Sequence, residues 1–332
     1  MSRQYLPRRR APAGRSRNLG VSLIELMVAL VLGLLVSGAA IAMFMSNSQT
    51  YRATESMSRV QENARIAFEL MARDIREAGG TPCSRNVPVI TTLNNPAANW
   101  WSNWNNGLIG YDNGALPGSL AGTDAIELLA GSSTGVSVTA HNPTSARMDV
   151  TPAAHGFLAD DILMVCDYRQ ASIFQMSGPA ANPITNGQIV HNTGSGSPGN
   201  CTKGLGFPLR CTTNGSPYTY GDNSMVVRLQ ASRWFVAANG RGGNSLFRVA
   251  LRNSGPGAPE EVIEGVNDMR ITYLLPGAAQ YQPASAIPAA RWREVMSVRL
   301  ELDLDGQEAV GTDRSSILRG LQHTINIRNR TA

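Results

Sequence analysis

Two hydrophobic patterns divide the chain. From Leu26 to Met45, twenty residues run without a charge or a proline, enough to cross a bilayer at about 1.5 Å per residue. No proline occurs between Val21 and Gly80, and past the apolar run Met57, Val60, Ala64, Ala67, Met71 and Ile75 recur three or four apart. That spacing is one stripe of an amphipathic helix. Gly79-Gly80 followed by Pro82 is a stop signal. The pattern predicts one helix over about residues 21–78, roughly 85 Å long. Its first half is apolar all round, a handle for a membrane or fibre core. Its second half lays a stripe on a globular head.

Beyond Pro82 the period shortens. Alternating or β-branched runs predict strands at Ala125–Leu129, Gly135–Ala140, Ile162–Cys166, Ala171–Met176, Met225–Leu229, Trp234–Ala237, Ser245–Leu251, Glu261–Val266, Met269–Leu275, Val295–Leu302 and Thr324–Ile327, with Gly, Asn, Pro and Ser between them. No helical segments alternate with these strands, which favours antiparallel sheet. The expected fold class is α+β, a long N-terminal α-helix packed on a loop-rich antiparallel β-sheet head. The expected segments are a leader at 1–20, a transmembrane or fibre-core half-helix at 21–45, an amphipathic half-helix at 46–80 and a β-rich head at 81–332. Residues 179–222, dense in Gly, Asn, Ser and Pro, are expected to form a loop insertion in the head.

Charge changes this picture in one place. The net charge of +5 invites nucleic acid or membrane, but six of the 29 basic residues (Arg3, Arg8, Arg9, Arg10, Arg15, Arg17) and none of the 24 acidic ones fall in residues 1–20. The rest is nearly neutral, which argues against a nucleic-acid-binding body. By the positive-inside rule the leader stays in the cytoplasm and the body projects into a periplasm-like space. A plain signal anchor and a secretory signal, with Ser37-Gly38-Ala39 as its cleavage site, compete with this reading. The apolar segment from Val21 to Met45 is longer than the usual h-region of about 7–15 residues and contains Glu25, which counts against the secretory signal. A carboxylate at mid-bilayer costs roughly 2.5–3.5 kcal/mol on insertion scales. Glu25 is either a tolerated interfacial residue or a group awaiting a positive partner.

Gly20-Val21-Ser22-Leu23-Ile24-Glu25-Leu26-Met27-Val28-Ala29-Leu30 closely resembles the type IV prepilin signature. The resemblance implies cleavage between Gly20 and Val21 by a prepilin peptidase, N-methylation of Val21, and retention of the apolar segment. It also implies pairing of Glu25 with the α-amine of a neighbouring subunit. Val21 departs from the phenylalanine common at that position, and the segment lacks the helix-kinking proline of many major pilins, having only Gly33 and Gly38. Ser58 to Gly79 resembles the large minor pilins of the PilW type. So do Glu264-Gly-Val-Asn-Asp-Met-Arg-Ile-Thr-Tyr273, Trp292 to Leu302, and Thr324 to Arg330. This family implies a structural role in a minor-pilin complex that primes type IV pilus assembly and sits at the tip. Its partners would be other minor pilins, the major pilin, the prepilin peptidase, the inner-membrane platform and a tip adhesin, with no cofactor. The location implied is the inner membrane, single-pass with the C-terminal domain periplasmic, and then the fibre. A J-type minor pseudopilin of type II secretion shares the N-terminus. A bitopic membrane sensor or enzyme is the alternative of another class.

The remaining chemistry is sparse. Four cysteines in an exported body imply disulfides. Of three possible pairings, Cys201 with Cys211 is the local choice, leaving Cys83 with Cys166. No C-x-x-C pair occurs, and His141, His155, His191 and His323 are widely scattered, so a metal site is not expected. No Walker loop, G-x-S-x-G, H-E-x-x-H or G-x-G-x-x-G occurs, and Lys203 is the sole lysine. Asp303-Leu-Asp305-Gly306-Gln-Glu308 vaguely resembles a calcium loop but reads better as a hairpin turn. Arg59, Glu62 and Arg73 read as a solvated helix face. Trp100, Trp101 and Trp104 either wedge the post-helix segment against the sheet or offer a partner surface.

Overall fold

In a computed structural model the described residues are 20–84, 87–104, 107–194, 196–306, 315–316, 318–328 and 330, without the side chains of 133 and 134. The basic leader, residues 1–19, and Glu308 lie outside them. The chain divides into two units, Met1–Thr54 and Glu55–Ala332.

Helix α1 (Leu23–Glu77) begins in the first unit. The Glu25 backbone N–H donates to Ser22 Oγ at 3.1 Å. Ser22 is therefore the N-cap, and Ser22-x-x-Glu25 is a capping-box sequence. The apolar side chains that follow are exposed, from 52% at Val28 to 75% at Leu23. By length and composition this is a helix able to cross a membrane.

In the second unit the helix lays down the expected stripe: Val60, Ala64, Ala67, Met71 and Ile75 are buried, joined by Ala72. At the start of the stripe Ser56 is buried and Met57 only half-buried. The helix stops where Gly79 adopts φ 69°, a left-handed C-terminal residue that glycine takes without a Cβ penalty.

Among the described residues fourteen strands follow: β1 (Val89–Thr91), β2 (Leu108–Tyr111), β3 (Ala125–Asn142), β4 (Arg147–Thr151), β5 (Ile162–Cys166), β6 (Ala171–Gln175), β7 (Gln188–Val190), β8 (Met225–Ala238), β9 (Asn244–Arg252), β10 (Gly255–Pro256), β11 (Glu260–Glu264), β12 (Val266–Leu274), β13 (Ser297–Asp305) and β14 (Leu318–Asn326). The larger sheet runs β1-β6-β5-β8-β3-β4-β7, with β2 on β3 and with β9 on β8 carrying β10 and β11. Its pairings are antiparallel except β1 with β6, which is parallel.

The spine is the pair β3–β8, in register from Ile126↔Trp234 to Ser137↔Met225. Each of these long strands serves two neighbours. β8 takes β5 at its start and β9 at its end. β3 takes β2 at its start and β4 at its end. The sequence splits each into two predicted strands. The apparent break in β3 is a register irregularity between Gly131 and Gly135. At Gly135 a Cβ would lie 2.6 Å from Val227 Cγ1 and 2.9 Å from Val226 O, so only glycine passes there.

The second sheet is β12-β13-β14, antiparallel throughout. The helix stripe, Ile126, Leu128, Trp234 and Leu246 of the first sheet, and Met269, Ile271, Tyr273, Leu300, Leu302 and Ile325 of the second share one core. Residues 179–222 are not a detached loop. They include β7, paired with β4, and bury Ile189, Leu205 and Tyr220 in a second core with Phe174 and Val226.

Candidate functional site

Gly20 and Val21 are exposed and precede the helix outside regular structure. Nothing lies within 4 Å of where a Gly20 side chain would begin, so this fold makes no steric demand for glycine there. Glu25 is exposed in the first helical turn, where the macrodipole favours a carboxylate. Gly20, Val21 and Glu25 thus stand together at the start of α1, and the disulfide and tryptophan candidates belong to the other unit.

The seat of the helix in the head contains a residue that the sequence does not single out. Asp74 Oδ2 accepts the Ser232 hydroxyl at 2.8 Å and the Trp234 Nε1–H at 3.0 Å. It also pairs with Arg248 Nη2 at 2.9 Å, and the Arg248 guanidinium lies 5.3 Å from the Trp234 ring centre. One carboxylate therefore ties α1 to both β8 and β9. A buried carboxylate, Asp124, accepts the backbone N–H of Ile271 at 2.8 Å and of Asn113 at 3.1 Å, joining the two sheets. Burial raises the Asp124 pKa against the opposing pull of these two N–H groups. Near the C-terminus Arg330 Nη1 donates to the carbonyl of Trp292 at 2.6 Å. Burial lowers its pKa to about 10.

The structure pairs Cys83 with Cys166 (Cα–Cα 5.9 Å) and Cys201 with Cys211 (4.9 Å). The first ties the segment after α1 to β5, and the second closes a loop within residues 179–222. Trp101 is 2% exposed in a core with Met164, Cys166 and Val227, against which Trp100 and Trp104 are half-buried. Trp101 therefore has no surface to offer a partner and wedges the post-helix segment against the sheet, while Trp100 and Trp104 keep part of their surface exposed. Arg233 lies 4.6 Å over the Trp100 ring and pairs with Glu127, which also accepts the Tyr111 hydroxyl at 2.8 Å.

The histidines are less scattered in space than in sequence. His141 and His191 meet with their Nε2 atoms 3.0 Å apart. His141 Nδ1 accepts the Tyr220 backbone N–H at 3.1 Å, so the His141 proton sits on Nε2 and is donated to His191. An imidazole donating from Nε2 cannot ligate a metal through that atom. Burial lowers the pKa of both, His141 to about 4 and His191 to about 3. His155 accepts the Phe157 N–H, and the His323 ring lies tilted against Phe68, centroids 5.6 Å apart. Among the described residues no group of three or more His, Cys, Asp or Glu could hold a metal ion. Asp303 and Asp305 lie within β13, and the next strand starts at Leu318. Asp305-Gly306 therefore opens a longer connection and not a tight hairpin turn.

A helix able to span a membrane, continued into a head of antiparallel sheets, has a counterpart in one class of proteins. Residues 15–41 match the prokaryotic N-terminal methylation motif. Motif and helix together support a type IV pilin-like chain with membrane anchoring and pilus association. Residues 233–329, from within β8 through β14, match PilW, type IV pilus-assembly protein W. The prepilin resemblance is thereby matched at the N-terminal end and the PilW resemblance in the C-terminal part, together consistent with a PilW-family type IV pilin. The segments at 264–273, 292–302 and 324–330 lie within or overlap this match, whereas 58–79 lies outside both matches. The family is one of structural pilus-assembly proteins. No curated protein and no solved structure matches the chain.

Proposed function

We propose that the chain is a minor pilin that joins other minor pilins in the complex priming type IV pilus assembly, and that it sits at the fibre tip. The observation that carries this is an exposed apolar helix bearing one carboxylate five residues after Gly20, in a chain whose C-terminal part matches PilW. On this reading residues 1–20 are a leader that stays cytoplasmic, residues 21–45 span the inner membrane and later the fibre core, and residues 81–332 form a periplasmic head on the helix segment 46–80. Cleavage after Gly20 frees the Val21 amine for N-methylation. Glu25 neutralises a neighbour's amine and so sets axial register. The peptidase acts on the leader, the platform and major pilin take up the cleaved chain, and a tip adhesin caps the complex.

A clean gene deletion tests this, scored for surface pili and twitching alongside secreted-enzyme levels. Lost pili with normal secretion is the expected result. Normal pili with exoproteins trapped in the periplasm would overturn it in favour of a J-type pseudopilin.

A further inference from the structure

Among the described residues the second sheet ends on β14, with no strand paired on its outer side. β14 pairs with β13 from Asp305↔Leu318 to Ser297↔Asn326. Just beyond, the Ile327 N–H donates to Met296 O at 2.9 Å, while the Arg328 N–H points the opposite way, to Arg76 O of α1 at 3.0 Å. Bonded and non-bonded pairs alternate in an antiparallel ladder. The odd residues 319–325 therefore turn their backbone groups toward β13. Leu318, Gly320, Gln322, Thr324 and Asn326 turn theirs outward. Among the described residues these outward groups have no backbone partner. The strand has no proline, and Arg319 is its single full charge. It lacks most of the devices by which proteins blunt an edge.

Beside this edge runs a groove of about 380 Å³, lined by Arg65, Phe68, Glu69, Ala72 and Arg76 of α1 together with His323. Its floor is Phe68 and Ala72. Arg65 is paired with Glu69 at 2.9 Å, whereas Arg76 is exposed and has no acidic partner among the described residues. A strand added to β14 would point alternate side chains into this groove.

We propose that the outer edge of β14 docks an extended strand from another pilus component, one that sets an apolar side chain over Phe68 and Ala72 and a carboxylate against Arg76. A second copy of this chain fits poorly. Residues 318–328 contain no acid, so self-pairing would set Arg319, His323 and Arg328 against their own kind. That the partner is a pilus component rests on the minor-pilin reading; the open edge does not.

The test is residue-resolved amide hydrogen exchange on the full chain in detergent, purified from cells making the whole pilus machinery and from cells making this chain alone. The expected result is that the amides of Leu318, Gly320, Gln322, Thr324 and Asn326 slow tenfold or more in the first preparation only, while those of Arg319, Leu321, His323 and Ile325 are slow in both. Equal exchange in the two preparations overturns the proposal. Slowing in the chain alone, as a second copy would give, also overturns it. Gln322→Pro removes an outward N–H and no backbone bond to β13; the side-chain bond from Gln322 Nε2 to Glu301 Oε1 of β13 is lost equally in Gln322→Ala. The proline variant is expected to abolish the slowing and to cut the chain's content in sheared fibres at least tenfold, while Gln322→Ala changes neither. If Gln322→Pro melts β14, seen as fast exchange at Leu321 and Ile325, Arg76→Glu decides instead: retained slowing there overturns the proposal. A wild-type chain absent from fibres would defeat the minor-pilin reading, yet the exchange comparison would still decide the edge.

Discussion

Removing the Asp74 carboxylate should loosen the helix from the head more than any other single change on its polar side. Asp74→Ala strands the Trp234 N–H, whose residue is fully buried. An unpaired buried donor costs about 1–3 kcal/mol. The Ser232 hydroxyl, also buried, loses a bond worth about 0.5–1.5 kcal/mol. Arg248 has a side chain 33% exposed and can turn to water, so the ion pair adds less than about 1 kcal/mol. The expected loss is about 2–4 kcal/mol, a large share of the 5–15 kcal/mol typical of a folded domain. Asp74→Asn keeps one acceptor oxygen and should lose roughly half as much. Arg73→Ala, at an exposed position beside it with no bond of its own, should stay within about 0.5 kcal/mol. The assay is urea unfolding of the full chain in detergent micelles, followed by tryptophan fluorescence with the slope held constant. A double-mutant cycle with Trp234→Phe should return a coupling of about 1–2 kcal/mol. A loss under about 0.5 kcal/mol for Asp74→Ala, or no coupling to Trp234, would refute the reasoning.

Four further outcomes are expected. Gly20→Val should leave residues 1–20 attached by mass spectrometry, and Glu25→Ala should be cleaved yet stay out of fibres; normal incorporation of the latter would end the pairing idea. The Cys83–Cys166 bridge spans 83 positions and the Cys201–Cys211 bridge 10, so paired Cys→Ser changes should cost about 4.5 and about 2.7 kcal/mol by loop entropy, and a reversed order in urea midpoints would count against that account. His141 and His191 are held neutral by burial, with pKa values of about 4 and about 3, against about 6.5 unfolded. The unfolded chain takes up protons first as pH falls, so the stability these residues provide is complete above about pH 6.5 and drains away toward pH 3. Unfolding at pH 7.5 and 4.5 should show a larger loss for wild type than for His141→Asn/His191→Asn, and equal losses would refute it. Trp101→Ala should lower stability by about 3–5 kcal/mol while leaving partner complexes intact at a temperature where the head stays folded; a stable variant with lost complexes would restore the surface reading.

What the sequence reveals of this fold follows the range of the forces involved. The helix is legible because its stripe is a local period, and β5 is legible to the residue because Ile162–Cys166 is a bounded apolar run. β1, β2, β4, β7 and β10 pass unnoticed. β7 has three residues and β2 is Leu-Ile-Gly-Tyr amid Trp, Asn and Gly, too short for alternation to register. β14 starts six residues before its predicted start because β13 offers a partner along its whole length, which is tertiary information. The same division holds at the sites. Glu25 and Gly20 stand in one local motif. Asp74 looks like any charge on a solvated face until Trp234, 160 positions away, donates to it. His141 and His191 are brought together by β4, which pairs with both β3 and β7.

On the minor-pilin reading, moving α1 from lipid to a helical bundle changes little in the surroundings of its apolar side chains, since lipid tails are as apolar as leucine. The decision between the two states then falls to the few polar groups carried along. At the start of the helix these are the Ser22 hydroxyl, the Glu25 carboxylate and, once the leader is removed, the Val21 amine. Ser22 already caps the Glu25 N–H, so the first turn enters the bundle formed and its ordering cost is met beforehand. Among the described residues of its own chain the Glu25 carboxylate has the neutral backbone N–H at the cap to reach back to, whereas Val21 lies before the cap and outside the helix. A neighbour's ammonium offers a charge-assisted bond of about twice the strength, and it removes two unpaired charges from an apolar setting at once. That difference favours the bundle over the membrane at one axial offset, the one that brings a Val21-type amine level with Glu25. Other offsets of the same apolar surface would leave the carboxylate where it began.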